Sequence, residues 1–295
     1  MTGFAGKVVF VTGAARGVGE EVARRLHRRG ARLVLVDLDA EPLTDLAAAL
    51  GDRVVTQVAD VTDLAAMDAA VAAGIDAFGG IDIVIANAGV ASYGSVLGVD
   101  PVAFRRVVDV NILGVFHTVR AALPAIIERK GYVLVVSSLA AFAAEPGMAA
   151  YAASKAGVEH FANALRLEVA HHGVAVGSAH MGWIDTPLVR DAKADLGTFR
   201  TMLDTLPGPV GKTTSVQACG QRFEKGIERR ARRIDVPGWV AAARWLRPLV
   251  QSRLAEGRTR RHAAATMSEM DAEVAALGRS VSARTRALGD GHTAG

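Results

Sequence analysis

Short aliphatic and β-branched runs alternate with segments of helical periodicity over the first two thirds of the chain, and this alternation restricts the possible folds more than any other feature. Val8-Val9-Phe10-Val11, Leu33-Val34-Leu35-Val36, Ile81-Asp82-Ile83-Val84-Ile85 and Tyr132-Val133-Leu134-Val135-Val136 are apolar almost throughout. Strands read this way when both faces of their sheet are covered. Between the first two runs, Val18, Val22 and Leu26 repeat at helical spacing along one face. The pattern predicts an α/β fold, a doubly wound parallel sheet with helices on both faces and right-handed crossovers. Ligands in such folds bind at the carboxyl ends of the strands.

With 295 residues, 51% of them hydrophobic, the chain suits one large α/β domain better than two. A further strand is expected at Gly173–Ala179. Residues 186–212 contain Gly197, Pro207, Gly208, Pro209 and Gly211 and predict a mobile excursion that ends in a loop. Cys219 is the only cysteine; it excludes a disulfide within the chain and fits a reducing, cytoplasmic setting as a buried small hydrophobe. The start of the chain does not read as a signal peptide, and no apolar run approaches the roughly 18 residues of a membrane span.

The first strand runs into Thr12-Gly13-Ala14-Ala15-Arg16-Gly17-Val18-Gly19, and a helical pattern follows at once. Glycines there permit a tight turn and let backbone N–H groups approach a pyrophosphate at a helix N-terminus. Asp37 ends the second strand, about 20 residues on, where a carboxylate accepts hydrogen bonds from an adenine ribose. This constellation predicts dinucleotide binding. Asp37 would repel the 2′-phosphate of NADP and favours NAD, whereas Arg16 in the turn offers a partner for that phosphate and leaves NADP possible.

Tyr151-Ala152-Ala153-Ser154-Lys155 sets a phenol and an ammonium four residues apart on one helix face. An ordinary phenol, with a pKa near 10, is a poor base at neutral pH. A neighbouring cation is expected to lower it into working range for proton exchange with an alcohol or carbonyl oxygen. Ser138 closes the preceding strand, from where its hydroxyl can bind the same oxygen.

Together these residues resemble the short-chain dehydrogenase/reductase family. Thr12 to Gly19 match its glycine-rich turn, and Asn87-Ala88-Gly89 match the motif after its fourth strand. Asn111 matches the helical Asn, and Ser138 stands thirteen residues before Tyr151-x-x-x-Lys155. The resemblance covers approximately residues 6–190. It implies a Rossmann-type fold, with a seventh strand at Ala231–Val236 closing the domain over residues 1–236, and hydride transfer between a nicotinamide and an alcohol or ketone. It also implies a role for each residue: Tyr151 as acid/base, Ser138 positioning the substrate oxygen, Lys155 on the nicotinamide ribose, and Asn111 holding a relay water. Gly13, Gly17, Val18 and Gly19 would cradle the cofactor, Asp60 and Val61 would contact its adenine, Asn87, Ala88 and Gly89 would line it, and Ile184 and Thr186 would meet its carboxamide.

The chain departs from the family twice. Ala86 stands where the first Asn of Asn-Asn-Ala-Gly is usual, and His180-Met181-Gly182-Trp183 replaces the usual Pro-Gly after the sixth strand. Met181 cannot fix φ as proline would, so the loop beside the nicotinamide is open to a different setting, with Met181 and Trp183 either packing or touching substrate. Leu188, Val189, Leu196, Phe199, Met202, Leu203 and Leu206 within 186–212 suggest a hydrophobic alcohol or ketone.

Residues 222–261 hold twelve Lys or Arg against four acids, so the modest net charge of +4 hides a basic C-terminal segment. The extension 237–295 is expected to be Ala-rich and helical over 262–287. Trp239, Trp245, Leu246, Leu249 and Val250 among Arg244, Arg247 and Arg253 suit docking on the substrate cleft or oligomer packing, and less well a membrane surface. No nucleic-acid motif accompanies the charge, and no His/Cys/Asp cluster has metal-ligand spacing. His171-His172 reads as solvated surface at a helix end. A catalytically silent cofactor sensor and a membrane-associated scaffold are the alternatives to an enzyme; the complete Asn111, Ser138, Tyr151 and Lys155 set argues against them. The helix after Pro101 (Val115, Phe116, Val119, Leu123, Ile126, Ile127) and the Tyr151 helix (Val158, Phe161, Leu165, Leu167, Val169) carry wider apolar faces than one sheet needs. A homodimer or homotetramer is therefore expected.

Overall fold

The computed structural model describes residues 3–290 apart from 144, 207 and 251. Seven parallel strands form one sheet: β1 Val8–Thr12, β2 Arg32–Asp37, β3 Val54–Val58, β4 Ile83–Ala86, β5 Tyr132–Val136, β6 Ala175–Met181 and β7 Arg233–Val236. Their spatial order is β3-β2-β1-β4-β5-β6-β7, so the chain reverses direction across the sheet between β1 and β4, and a crevice opens at their carboxyl ends. Alternate strand residues feed two cores. Val9, Val11, Leu33, Leu35, Ile85 and Leu134 pack with Val22, Leu26 and Phe223 on one face. Val8, Phe10, Val34, Val36, Val84 and Val135 pack with Val119, Ile126 and Val158 on the other.

Strand β3 has no counterpart among the apolar runs of the sequence. Val54-Val55-Thr56-Gln57 are only half-buried and Val58 is exposed, because β3 is an edge strand with one neighbour. The fourth and sixth strands lie about two residues later than their apolar runs suggest.

Residues 186–212 differ from expectation. They form two helices, Pro187–Asp195 and Gly197–Thr205, and only the turn that follows is loop; Pro207 lies outside the described residues. The second helix has a cap from far along the chain. The Glu273 carboxylate accepts from Gly197 N at 2.9 Å and from Thr198 N at 3.2 Å, meeting N–H groups that a helix start leaves unpaired.

Glu273 belongs to the C-terminal helix Arg253–Leu277, which begins before the expected 262. The extension docks on the cleft, but through other residues than the tryptophan segment. Met267, Met270, Val274 and Leu277 pack with Val189, Phe199, Met202 and Leu203, whereas Trp245 and Leu246 are exposed. The side chains of Leu249, Val250 and Arg253 lie outside the described residues. Asp271, on the same helix as Glu273, accepts from Ser95 N at 2.8 Å and Ser95 Oγ at 2.6 Å. Arg279 grips Asp195 with two bonds of 2.7 and 2.8 Å, and Val281 bridges to Ser92. One element thus holds both the loop after β4 and the helices after β6. The basic stretch 222–261 is not a free tail either, since it contributes β7, where Arg233 pairs with Glu159 and Arg244 with Asp235.

Most of the expected oligomer face turns out to be core. Val115, Val119, Ile126, Val158, Leu165 and Val169 cover the sheet, which leaves Leu113, Phe116 and Leu167 exposed. The continuous helical stretch Pro101–Glu128 is long and apolar enough to cross a membrane by length and composition, contrary to the apolar-run reading, and half of that window is buried against its own sheet.

Candidate functional site

One cleft at the carboxyl ends of the strands gathers Gly13, Arg16, Gly17, Val18, Asp37, Asp60, Val61, Asn87, Ala88, Gly89, Ser138, Tyr151, Lys155, Ile184 and Thr186. Gly19 and Asn111 stand directly behind it. The glycine turn is built for close approach. Gly13 and Gly17 take positive φ values of 64° and 59°, a region that side chains strain. A Cβ on Gly13 would lie 2.8 Å from Ala88 Cα, and one on Gly19 would overlap the Gly13 carbonyl oxygen. Asn87 locks this turn to β4, its Nδ2 donating to the Thr12 and Gly13 carbonyls at 3.0 and 2.9 Å. The helix Gly17–Arg28 begins there without a side-chain cap, so its first N–H groups are available to an anion beside Gly17 and Val18.

At the ribose end, the Asp37 carboxylate accepts from Ala15 N at 2.8 Å and Asp39 N at 3.0 Å. Burial outweighs these bonds and raises its pKa. Arg16 is engaged by Asp39, with Nε and Nη2 at 3.1 and 2.8 Å from one carboxylate oxygen. Asp60 is desolvated, which alone would raise it, but the Thr62 N–H and the Arg106 guanidinium at 2.8 Å hold it below the usual range. Asp39 and Arg106 join the site without belonging to any of the sequence motifs. Asp39 was findable, two residues beyond Asp37; Arg106 meets Asp60 across 46 positions, with no local signal.

At the reacting end, Ser138 follows β5 in extended conformation, with its Oγ near the Met181 carbonyl at 3.4 Å. Tyr151 and Lys155 project from the helix Ala149–Glu168. The expected lowering of the phenol by the ammonium is not what the structure gives. Burial raises the Tyr151 pKa, and the group that pulls it down is the Ser138 hydroxyl. The Lys155 ammonium sits over the Tyr151 ring, 5.6 Å from its centroid, and donates to the Val136 carbonyl at 3.0 Å. It is itself lowered to about 8 by burial.

Asn111 lies in a single π turn, Asp109–Leu113, a local irregularity frequent at functional sites. Its amide makes three bonds: Oδ1 accepts from Val90 N at 2.8 Å, and Nδ2 donates to Val90 O at 3.0 Å and Ser154 Oγ at 2.9 Å. It braces the loop of Asn87-Ala88-Gly89, where a Cβ on Gly89 would press on both Asn111 Oδ1 and Lys155 Nζ at 3.3 Å.

Met181 packs on Cys219, whose thiol contacts its sulfur at 3.6 Å; burial pushes that thiol up to about 12. Trp183 lines the cleft and meets Phe199 edge-on, with centroids 5.3 Å apart. Glu145, Arg284, Thr285 and Leu288 also line the cleft, the last three from the C-terminal helix Ala283–Asp290. Nothing local in the sequence places them there.

A model of the short chain dehydrogenase family matches residues 7–197. An uncharacterised oxidoreductase of Mycobacterium tuberculosis is 38% identical over 239 residues, 72% of this chain and 86% of the relative. An uncharacterised NAD-dependent oxidoreductase of the same organism is 37% identical over 212 residues, 66% of this chain and 77% of the relative. A short chain dehydrogenase from Mycobacterium paratuberculosis, solved bound to NAD, superposes with a TM-score of 0.68 at 29% identity, over 79% of this chain and 96% of that one.

Proposed function

We propose that this chain, which belongs to the short-chain dehydrogenase family, uses NAD to interconvert an alcohol and a ketone with a hydrophobic body. The oxidoreductase class follows from the family and its relatives. The observation that carries the narrower reading is the convergence of Ser138, Tyr151 and Lys155 on the cleft that holds Gly13, Gly17 and Val18.

The residues fit the cofactor. The turn leaves no room for a Cβ at Gly13 or Gly19, and Asp37 offers carboxylate oxygens where ribose hydroxyls would donate. NAD, when bound, accepts the hydride. Tyr151 takes the hydroxyl proton of the alcohol, or gives one to the ketone in the reverse direction, and Ser138 donates a hydrogen bond to the same oxygen. Lys155 holds the nicotinamide ribose, and Asn111 keeps the adjoining loop in place. The apolar side chains Val189, Phe199 and Trp183 exclude water from the reacting carbon. A fluorescence screen for NADH formation over secondary alcohols tests the reading; activity that is absent with all of them, or confined to another bond type, removes it.

NAD is preferred over NADP because Arg16 is already neutralised by Asp39 and Asp37 presents negative charge to a 2′-phosphate. Asp37→Ala removes that charge and frees the Ala15 and Asp39 N–H groups, which then suit a phosphate. The ratio of kcat/KM for NAD to that for NADP is expected to fall by at least about tenfold, the worth of one charge-assisted hydrogen bond. A wild type that favours NADP would show that Arg16 dominates.

The exposed Leu113, Phe116 and Leu167 on the two outer helices support a symmetric homodimer or homotetramer through that face. Light scattering at micromolar concentration is expected to give at least a dimer, with Phe116→Glu shifting it towards monomer; a stable, active wild-type monomer contradicts the assignment.

A further inference from the structure

With the cofactor and reacting residues assigned, the rest of the cleft is mostly apolar, formed by Met148, Trp183, Val189, Phe199 and Leu288. Two of its remaining charges face each other, Arg284 and Asp191, at 3.9 Å. Glu145 is different. It stands between Ser138 and Tyr151 in the sequence and lines the same cleft. Among the described residues its carboxyl has neither a hydrogen-bond partner nor an ion pair, although its main-chain carbonyl accepts from Met148 N at 3.3 Å. The loop that carries it is pinned from outside. Gly147 takes a positive φ of 80°, and a Cβ there would collide with the Met270 sulfur of the C-terminal helix. Glu145 therefore sits two residues from a braced glycine, half-buried in the wall of a mostly apolar cleft, with its carboxyl unmatched.

We propose that Glu145 is a specificity residue that receives a hydrogen-bond donor, a hydroxyl or an ammonium, carried by the substrate away from its reacting carbon. The inference rests on the alcohol/ketone reading of this cleft and narrows the substrate to a bifunctional molecule with an apolar body. Glu145 is half-buried and its carboxyl opens to the cleft; a substrate seated there displaces its water, and a donor on that substrate is the partner that replaces it. Burial alone holds the carboxyl at about 7, and a donor group brought in by a ligand would relieve that penalty.

The test measures binding, so that no turnover is required. Calorimetry on the NADH-saturated protein, in which an alcohol has no hydride acceptor, compares secondary alkanols over a range of chain lengths with the same alkanols bearing a terminal hydroxyl or a terminal amino group. At the best length, the terminal donor is expected to tighten binding to the wild type by about tenfold over the plain alkanol. In Glu145→Leu that ratio falls to about one. In Glu145→Gln the hydroxyl keeps its advantage, since an amide oxygen still accepts, while the ammonium loses its own. Equal binding of plain and substituted alkanols by the wild type at every length, or a preference that survives in Glu145→Leu, overturns the assignment. A wild type that turns over plain alkanols without preferring donors refutes the role of Glu145 alone, whereas one that binds no alkanol removes the alcohol reading as well.

Discussion

Tyr151→Phe is expected to leave NAD binding intact and to lower turnover by roughly 10²–10⁴-fold, the usual worth of a positioned acid/base. The substitution removes one oxygen from a side chain that packs in the cleft beside Lys155, so the cradle around Gly13 and the bond from Lys155 to Val136 are undisturbed. Burial keeps the phenol above its ordinary pKa. It is therefore protonated throughout the neutral range and ready to donate to a ketone, and alcohol oxidation, which needs the opposite state, should gain with rising pH. NAD affinity by calorimetry and NADH-linked rates on the purified variant check the expectation. A rate near that of the wild type would remove Tyr151 from the chemistry.

The second large effect concerns stability. Beneath the site, His180 is fully buried and stacks on Phe142, ring centroids 4.7 Å apart. Its Nε2 lies 2.7 Å from Glu159, which also pairs with Arg233 at 3.3 Å, and its Nδ1 lies 3.5 Å from Asp235. Removing one member of such a buried set leaves the others uncompensated, so Glu159→Ala should cost about 3 kcal/mol. Desolvation would raise the Glu159 carboxyl, but its bond to His180 and the His180 charge win and hold it at about 2. With the folded value below the ordinary 4.5, the stabilisation is complete above about 4.5 and is lost as the pH falls towards about 2. His180 is shifted upward despite its burial, because two carboxylates face it, Glu159 through a hydrogen bond and Asp235 across 3.5 Å. Its share is present below its ordinary value and is lost as the pH rises through the elevated one. Urea unfolding across this range should show the gap between wild type and Glu159→Ala closing in acid; a gap that stays constant would mean that Glu159 acts by packing rather than charge.

What the sequence disclosed was the part of the molecule built from neighbours in the chain. The strand runs are apolar because both faces of the sheet are covered, and Thr12 to Gly19 announce a strand, a turn and a helix start within eight residues. Ser138, Tyr151 and Lys155 are close in sequence because one strand end and one helix carry them. What stayed hidden depends on distant partners. Strand β3 borders solvent and carries a mixed pattern. The helices at 187–205 look like a Gly- and Pro-broken loop until Glu273 caps one of them across 76 positions. The tryptophans of the extension drew attention by size and charge context, yet Met270 and Val274, inconspicuous in an Ala-rich helix, make the contact. The Lys155 ammonium turns to the Val136 carbonyl, 3.0 Å away, a direction that spacing along a helix does not disclose.

Because Glu273 and Asp271 reach back 76 and 176 positions, the order in which the molecule can be assembled is constrained. Six of the seven strands and every residue assigned to chemistry lie before position 182, and a chain emerging from the ribosome can fold them early. The roof of the cleft comes from residues between 267 and 288, which emerge later and close it through contacts of very high sequence separation, which form slowly. On the proposed function, cofactor capture and substrate discrimination would then be acquired at different times in the life of the polypeptide: a chain still lacking the helices after position 253 would present the dinucleotide groove open, and the wall built by Met270, Arg284 and Leu288 would be added afterwards.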